Sequence, residues 1–470
     1  MIYNVPKEYF FRIHHIRPRF KNDIENVLFF MATEIVKLPA LNSDVFKEKL
    51  NFAIRQYPGN ATIKQKTIDN WRTEISALFG FIQRDSFAKT SRPSAIAINL
   101  AEEQDLVQFF KYFLYYFQYP GGNLKRDKNR ILVNAGVKFK PVQYILRLME
   151  AGEKSTGKRF YLDKAEVTHY IYNDLRVTRD DRIPQEVVEL ILQNRESKVE
   201  YDWQGDVIRY AGDIMDYMVI ANLLVGYPNG RYYLNRSERE SIIAFIQSSL
   251  WFNEYYTFFK NNKPPDIKIV DDNWFNYVNA KISQEIFKTD VLKYLNIEEE
   301  SYTEIVNSAV EAAENELTFE ENAKTKEIGD LGENLVIGHE SMRLKDAGRE
   351  KLIHLIKKIP THLAIGYDIQ SLELNEIKRL IEVKTTISNR PISFYSFHLT
   401  SNEWNAAQSY NDKYFVYRLM ISKEEKKLFI IKDPIAKYKD NKLIMTPRHG
   451  ADISFNEQSG HWEELLIWKS

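Results

Sequence analysis

Gly366-Tyr367-Asp368-Ile369-Gln370-Ser371-Leu372-Glu373-Leu374-Asn375-Glu376-Ile377-Lys378-Arg379-Leu380-Ile381-Glu382-Val383-Lys384-Thr385-Thr386 is the stretch around which the rest of the chain is organised. The run Leu380 to Thr385 is short, branched and bounded by polar turns, so it reads as a β-strand. Side chains on a strand alternate faces. Glu382 and Lys384 therefore share one face, while Ile381 and Val383 point the other way into a core. Placing a carboxylate and an ammonium side by side in a buried face is costly unless something pairs with them. A divalent metal between Asp368 and Glu382 meets that need, with Lys384 directed at a water or a phosphate oxygen. The bland alternative is an edge strand whose Glu and Lys face solvent.

The flanks extend the pattern. Upstream, Leu331, Leu335, His339 and Met342 recur at helical spacing, and Glu333 and Glu340 fall on one stripe of that helix. Downstream, Phe394 to Thr400 reads as a strand, and Thr400-Ser401-Asn402-Glu403 is a capping-box pattern that starts a helix through Gln408. Tyr414 to Ile421 and Leu428 to Ile431 read as a hairpin around the charged turn Ser422 to Lys427. The order is helix, strand, strand, strand, helix, strand.

Asp368 followed by Glu382-Val383-Lys384 resembles the signature of the PD-(D/E)XK nuclease superfamily, with Tyr367 where the pattern has proline. G-E-x-x-V, G-Y-D-I, I-E-V-K-T, L-T-x-N-E-W and D-x-Y-F-V-Y-R resemble, in order, the domain named after the plant NO VEIN protein, over about residues 327–435. The resemblance implies Mg2+-dependent cleavage of DNA phosphodiesters. It implies Asp368, Glu382 and Lys384 as the catalytic set, Asp368 and Glu382 as metal ligands, and Glu333 as a helix carboxylate that helps hold the metal.

A chain of 470 residues is long enough for two to four domains. Its formal net charge is +0, so a nucleic-acid surface must come from local segregation of charge. It has no cysteine, which excludes disulfides and thiolate metal sites and fits a reducing cytoplasm. No apolar run is long enough to span a bilayer, and Met1 to Lys7 lacks a signal-peptide pattern, so no membrane partner and a cytoplasmic location are expected. Walker A, GxGxxG, HExxH, GxSxG and methyltransferase motifs are missing from the sequence.

Residues 1–120 read as mostly helical. Phe46 to Ile54, Thr67 to Phe81 and Leu100 to Gln118 carry apolar residues at helical spacing, and Pro120-Gly121-Gly122 stops the last of these. Its aromatics suit core packing, since aromatics dominate cores by buried area; base stacking is the other reading. His14 and His15 lie beside Arg12, Arg17 and Arg19, a cluster suited to phosphate or to plain solvation.

Residues 121–182 are the most basic part of the chain. Lys125, Arg126, Lys128, Arg130, Lys138, Lys140, Lys158, Arg159 and Lys164 lead into a helix from Lys164 to Ile171 that carries Thr168 and His169. Helix Pro141 to Met149, a basic turn, the extended Phe160 to Asp163 and this helix read as a winged-helix or helix-turn-helix unit. All eleven residues just named are candidate DNA contacts, because lysine and arginine beside a helix N-terminus suit phosphate. A soluble helical domain with a charged rim is the alternative.

A second such unit is expected from Arg209 to Leu224 (helix), Gly230 to Asn235 (wing strand) and Ser237 to Ser249 (helix, Ser237 as N-cap). R-x-A-G-D-I-x-x-Y followed by Y-Y-L-N resembles specificity modules of some type II restriction endonucleases. Residues 297–327 crowd glutamates beside Ile305, Ala309 and Leu317, which suits an acidic amphipathic linker helix, or one that repels DNA from the nuclease until the recognition half is bound.

The expected architecture is multidomain: a mostly α N-terminal region with winged-helix units, then an α/β PD-(D/E)XK nuclease domain. The expected boundaries are 1–120 (helical domain), 121–295 (winged-helix recognition region), 296–326 (acidic linker helix) and 327–470 (nuclease domain). The expected function is that of a type II restriction endodeoxyribonuclease: site-specific, Mg2+-dependent and acting on double-stranded DNA. Its partners are the DNA, a second copy for double-strand cleavage and a separate cognate methyltransferase of a restriction-modification system. A modification-dependent or antiphage nuclease, or a DNA-binding regulator with an inactive nuclease-like domain, are the alternatives.

Overall fold

Polar alternation hides a sheet in the first hundred residues. In the computed structural model, Ile82–Asp85 (β2) and Thr90–Pro93 (β3) form a hairpin, and Leu41–Asn42 (β1) pairs with β3, giving the order β1-β3-β2. The region read as mostly helical thus contains a three-stranded antiparallel sheet. Its strands carry Gln83, Arg84, Arg92 and Ser91, too polar to register as strands from hydrophobic periodicity. The structure describes residues 2–14, 18, 20, 24–57, 60–122, 124, 126–203, 206–260, 266–280, 284–288, 328–359, 365–391 and 395–466. Arg17, Arg19, Lys125 and the acidic segment 296–326 lie outside the described residues, as does His15.

The described chain forms two compact units. The first takes in Met1–Ile24, Phe30–Ile98 and Val107–Phe287; the second takes in Glu25–Phe29, Asn99–Leu106 and Lys288–Ser470. The expected boundary at residue 120 runs through the interior of the first unit. Within that unit one arrangement occurs twice. After β1 come helix Ser43–Gln56 and a helical run from 65 to 79, then the β2–β3 hairpin. After Tyr161–Leu162 (β4) come helix Lys164–Glu166 with its continuation Val167–Tyr172, further helices, helix Asp206–Ile220, then a hairpin of Leu224–Gly226 (β5) and Tyr232–Leu234 (β6). The second sheet has the order β4-β6-β5, the counterpart of the first.

The two stretches read from sequence as separate recognition units, before and after residue 182, therefore share one sheet. A two-residue strand such as β4 has too few ladder bonds to stand alone, and β6 completes it. Two other expectations are corrected. The helix expected from Leu100 to Gln118 is broken into Ala95–Glu103 and Leu106–Tyr116, with Gln104 at φ 52° between them. Asn235, not Ser237, caps the turn Arg236–Glu238, and helix Arg239–Gln247 follows.

The aromatics of helix Leu106–Tyr116 pack in the core of the first unit. Phe109, Phe110 and Phe113 are buried against Phe79, at the end of the helical run of the first copy, and Phe110 and Phe113 against Tyr217 of the second. Lys111 on the same helix is fully buried and pairs with Glu238 at 2.7 Å, whose carboxylate also accepts from Asn222 and Ser241. Such a pair is tolerated because its remaining oxygen valences are filled.

In the second unit the six-stranded sheet has the order β15-β12-β11-β9-β8-β7, from His461–Glu464, Lys426–Lys432, Tyr414–Ile421, Lys378–Ile387, Ile369–Leu372 and Lys357–Lys358. β9 pairs antiparallel with β8 and parallel with β11. Ser396–Thr400 (β10) leaves this sheet and joins Gly450–Phe455 (β14) and Leu443–Pro447 (β13). The helix, strands, helix and strand expected from the sequence occur in that order, with β7 as an added edge and β10 in the separate sheet of order β10-β14-β13.

Both faces of β9 are covered. Leu380 packs with Val416, Met420, Ala406 and Ala407, beneath helix Ser401–Tyr410. On the other face lies helix Ile328–Asp346, whose Glu340 is fully buried and receives Arg343, Ser371, Arg379 and Tyr417. Although burial opposes its charge, these cations and donors hold the Glu340 pKa down to about 2. Among the described residues no helix is long and apolar enough to cross a membrane.

Gly332 marks the closest approach of that helix to the sheet, where any Cβ would collide with the hydroxyl of Thr385. Gly332→Ala is expected to destabilise the fold by about 1–3 kcal/mol, the usual cost of overpacking. Adding Thr385→Ala should recover much of that loss. Thermal unfolding of the two variants checks this, and equal melting temperatures for both would show that the contact is not the cause.

Candidate active site

Asp368 stands at the entry to β8, where the backbone is pinned on two sides. Its N–H donates to the carbonyl of Ile381 at 2.9 Å, and its carbonyl accepts from Ile359 at 2.7 Å. Its side chain is fixed too, since Oδ2 accepts from the Val383 N–H at 2.8 Å. Gly366, two residues earlier, has φ +84° and lies so close to helix Ser401–Tyr410 that a Cβ would run into the Asn402 carbonyl and Ala406. Glycine is the residue that meets both conditions. The Gly366 carbonyl in turn accepts from the Tyr414 hydroxyl at 2.9 Å.

On β9 the expected alternation holds. Glu382 is 3 % exposed, and its Oε1 lies 2.7 Å from the Lys384 ammonium. The alternative of a solvated Glu/Lys edge is excluded by that burial and by the interior place of β9 in the sheet. The Lys384 Nζ also donates to Glu403 Oε2 at 2.8 Å. Glu403 is the third helical residue of a capping box: Thr400 N donates to Glu403 Oε2 at 3.0 Å, and Glu403 N to Thr400 Oγ1 at 3.4 Å. Beside them on β11 lies Arg418, 2 % exposed, whose Nη1 donates to the Lys384 carbonyl at 2.8 Å. Its Nη2 reaches Thr386 Oγ1 and Gln104, the latter from the segment Asn99–Leu106 of the same unit. Burial pulls the Arg418 pKa down to about 9.

The charges are mutually coupled. Burial pushes the Glu382 carboxyl well above its ordinary value; Lys384 works against this, while Asp368 and Glu403 add to it. Burial likewise raises Asp368, against the pull of the Val383 N–H and Lys384. Lys384 is held in its charged form because Glu382 and Glu403 outweigh the burial that opposes it. Glu403 is lowered, its burial outweighed by Lys384.

The structure thus brings Asp368, Glu382 and Lys384 together. It places Glu333 on Lys358, with Oε2 and Nζ 2.9 Å apart, and Lys358 in turn lowers the Asp368 pKa. Glu403, Lys358 and Arg418 went unassigned in the sequence. The capping-box pattern was the signal for where Glu403 would sit, but nothing in it pointed across to Lys384. Among the described residues no group of three or more His, Cys, Asp or Glu side chains is arranged to hold a metal. Asp368 and Glu382 alone are a small set of hard oxygen donors, one of them buried and balanced chiefly by Lys384. That fits Mg2+, which is bound through one or two carboxylates and keeps several waters.

The candidate DNA contacts are dispersed in their surroundings. Lys128, Lys158 and Arg159 are exposed, Arg159 lying over the Tyr233 ring at 4.8 Å. Arg130 lies over Phe259 at 5.7 Å, and Lys138 lies over Trp251 and Tyr256. Arg126 pairs with Asp271 at 2.9 Å and Lys164 with Asp216 at 2.9 Å. Lys140 donates to the Leu250 carbonyl, and burial lowers its pKa to about 8. Thr168 is buried with its hydroxyl on the Lys164 carbonyl, and His169 Nε2 lies 2.9 Å from the Asp202 carbonyl.

A helical first unit with twin three-stranded sheets, followed by a mixed-sheet unit with clustered carboxylates and a lysine, defines a multidomain protein of restriction-endonuclease type. The chain belongs to the family described as restriction endonuclease BpuJI, N terminal, whose model matches residues 3–275. The model for protein NO VEIN, C-terminal, matches residues 332–431. Among solved structures, the BpuJ1 endonuclease binding domain in complex with pyrene- and phenanthrene-modified DNA is 26% identical. The match covers 59% of this chain and 100% of that one, with a TM-score of 0.52. Restriction endonuclease FokI bound to DNA matches at 11% identity over 80% of this chain and 75% of that one, with a TM-score of 0.21, too low to bear on the fold. No curated protein matches the chain.

Because the Asp368 pKa is raised on folding, its ionised form subtracts stability above the unfolded value of about 3.9. Asp368→Asn keeps an oxygen for the Val383 N–H and removes the charge. At neutral pH in chelator it is expected to melt above the wild type. Added Mg2+ should raise the wild-type melting temperature by binding the folded state and leave the variant unmoved. An equal response of both proteins to Mg2+ would place the ion elsewhere.

Proposed function

We propose that this chain is a site-specific, Mg2+-dependent endonuclease of restriction type acting on double-stranded DNA, in which the first unit recognises the site and the second cuts. The observation that carries the reading is the pair of buried Glu382 and partly buried Lys384 with Asp368 beside it, in a chain whose residues 3–275 belong to a restriction endonuclease family. DNA as the partner is supported by the DNA complex of the similar BpuJ1 binding domain. The repeated order of a short first strand, a helical segment and a hairpin paired as first-third-second suits two winged helices, each hairpin being a wing. A second copy for double-strand cleavage and a separate cognate methyltransferase complete the system.

Asp368 and Glu382 would hold Mg2+, which when bound lowers the pKa of a coordinated water. The protein's own part is to prepare the charges. The Val383 N–H fixes the orientation of the Asp368 carboxylate, and burial keeps Glu382 short of partners other than cations. Lys384, charged and compact, is suited to donate to a phosphoryl oxygen as negative charge develops there. With Glu382 engaged in holding the ion, Lys384 would keep Glu403 as an anchor.

Glu382→Ala or Asp368→Ala should abolish cutting and leave DNA binding intact. Lys384→Ala should lower the rate by about 100-fold or more with little change in affinity, since its contribution lies in the transition state. Lys384→Arg should also be poor, because a planar fork does not replace a compact ammonium. Cleavage and gel-shift titrations check this, and near-wild-type cutting by either carboxylate variant would show that the residues are misassigned.

The division of labour has its own test. A fragment ending near residue 297 should bind a defined duplex sequence without cutting, with steep salt dependence from released counterions. Neutralising Lys128, Lys158 and Arg159 together should flatten that dependence while leaving sequence preference unchanged. Sequence preference residing in a fragment that starts near residue 326 would overturn the assignment.

A further inference from the structure

We propose that Glu403 is a positioning residue for Lys384, setting the place of the ammonium independently of Glu382; this rests on the reading of the site as a nuclease centre. One oxygen, Glu403 Oε2, accepts both from the Lys384 ammonium at 2.8 Å and from the Thr400 backbone N–H at 3.0 Å. The second bond ties that oxygen to the start of helix Ser401–Tyr410, a rigid backbone point. Glu403 is thereby a fixed carboxylate, whereas Glu382 is a strand residue facing Asp368 in the same cluster. At the other end of the same residue, Arg418 fixes the Lys384 carbonyl at 2.8 Å. Lys384 is therefore held by its backbone from β11 and by its head group from the helix.

The arrangement solves a problem that the pair Glu382–Lys384 poses by itself. A carboxylate that is to serve a metal cannot also be the main partner of the lysine. With Glu382 drawn to a cation, an unanchored ammonium on a four-carbon stem would lose its place, and a flexible lysine loses more entropy in being fixed than one already held. Glu403 supplies the second partner. Its lowered pKa accords with a carboxylate that stays ionised beside Lys384. It does this without entering the metal set, since Asp368 and Glu382 form that set. Gly366 and Tyr414 hold the same helix and strand against the Asp368 segment, so the anchor and the acid share one frame.

The test is steady-state cleavage of bacteriophage genomic DNA by the full chain in Mg2+, with Glu403→Ala, Glu403→Gln, Lys384→Ala and the double variant. Second-sphere partners of this kind are worth about 10- to 100-fold. Glu403→Ala should lose that much in kcat with KM unchanged. Glu403→Gln, which retains an oxygen acceptor for both Lys384 and the Thr400 N–H, should recover most of it. In the Lys384→Ala background, Glu403→Ala should cost nothing further, because its effect passes through the lysine. A loss of equal size in both backgrounds, a loss confined to KM, a glutamine variant as poor as alanine, or alanine within twofold of the wild type would each overturn the assignment. Should Glu403→Ala fail to fold through loss of its cap, Glu403→Gln alone and in the Lys384→Ala background gives the same reading from the rescue. A wild type that does not cut at all overturns the nuclease reading, and this assignment with it.

Discussion

One ammonium held between two carboxylates on an interior strand is the constraint around which the second unit is arranged. Lys384 and Glu382 are on a face that helix Ser401–Tyr410 covers, so neither charge can be left to solvent. The neighbouring elements answer this locally. The helix supplies Glu403 from its first turn, β11 supplies Arg418 to the strand backbone, and a glycine at 366 lets the acid-bearing segment come close enough for Val383 to bond Asp368. The opposite face is handled differently, with Glu340 neutralised by two arginines and a tyrosine. On that face cations and donors hold the Glu340 carboxyl below its ordinary range. The other keeps two carboxyls pushed above their ordinary range, the uneven balance that catalytic centres show.

The second unit was legible because its chemistry and its periodicity coincide. In I-E-V-K the alternation that makes a strand also sorts the charged residues to one side, so fold and site are read from the same letters. The capping box at Thr400–Glu403 was readable for the same reason, as a local rule with a fixed spacing. What crosses between elements was not. Glu403 reaching Lys384, and Glu333 reaching Lys358, depend on packing angles that no spacing encodes.

The first unit was less legible, again for physical reasons. Strands β2 and β3 are amphipathic in neither sense, since both hairpin faces carry polar residues, so their pairing is set by the turn and by β1. The break at Gln104 came from a backbone in the left-handed region at a residue with no glycine or proline to announce it. The basic cluster of residues 121–182 was visible as composition, yet its members differ once folded: Arg126 and Lys164 are spent on aspartates, Thr168 is internal, and Lys128, Lys158 and Arg159 remain at the surface. Charge counted along a chain does not say which charges a neighbour has already taken. The aromatic helix was read correctly as core, because large apolar rings at helical spacing have few other places to go.

The twin sheets differ in how far their ends must travel. Leu41 pairs with Ser91, fifty residues on, while Tyr161 pairs with Tyr233, seventy-two residues on. The extra length includes helix Pro184–Glu196, whose Arg195 bonds the Tyr161 carbonyl and Glu166 at the base of β4. Because closure entropy grows only as the logarithm of loop length, the longer span costs about 0.3 kcal/mol more than the shorter. A single guanidinium bonded at the base of the strand offsets that. Duplicated units of this design can therefore diverge by accepting whole helices between their strands, so long as each insertion brings one contact back to the short strand it has separated from its partner.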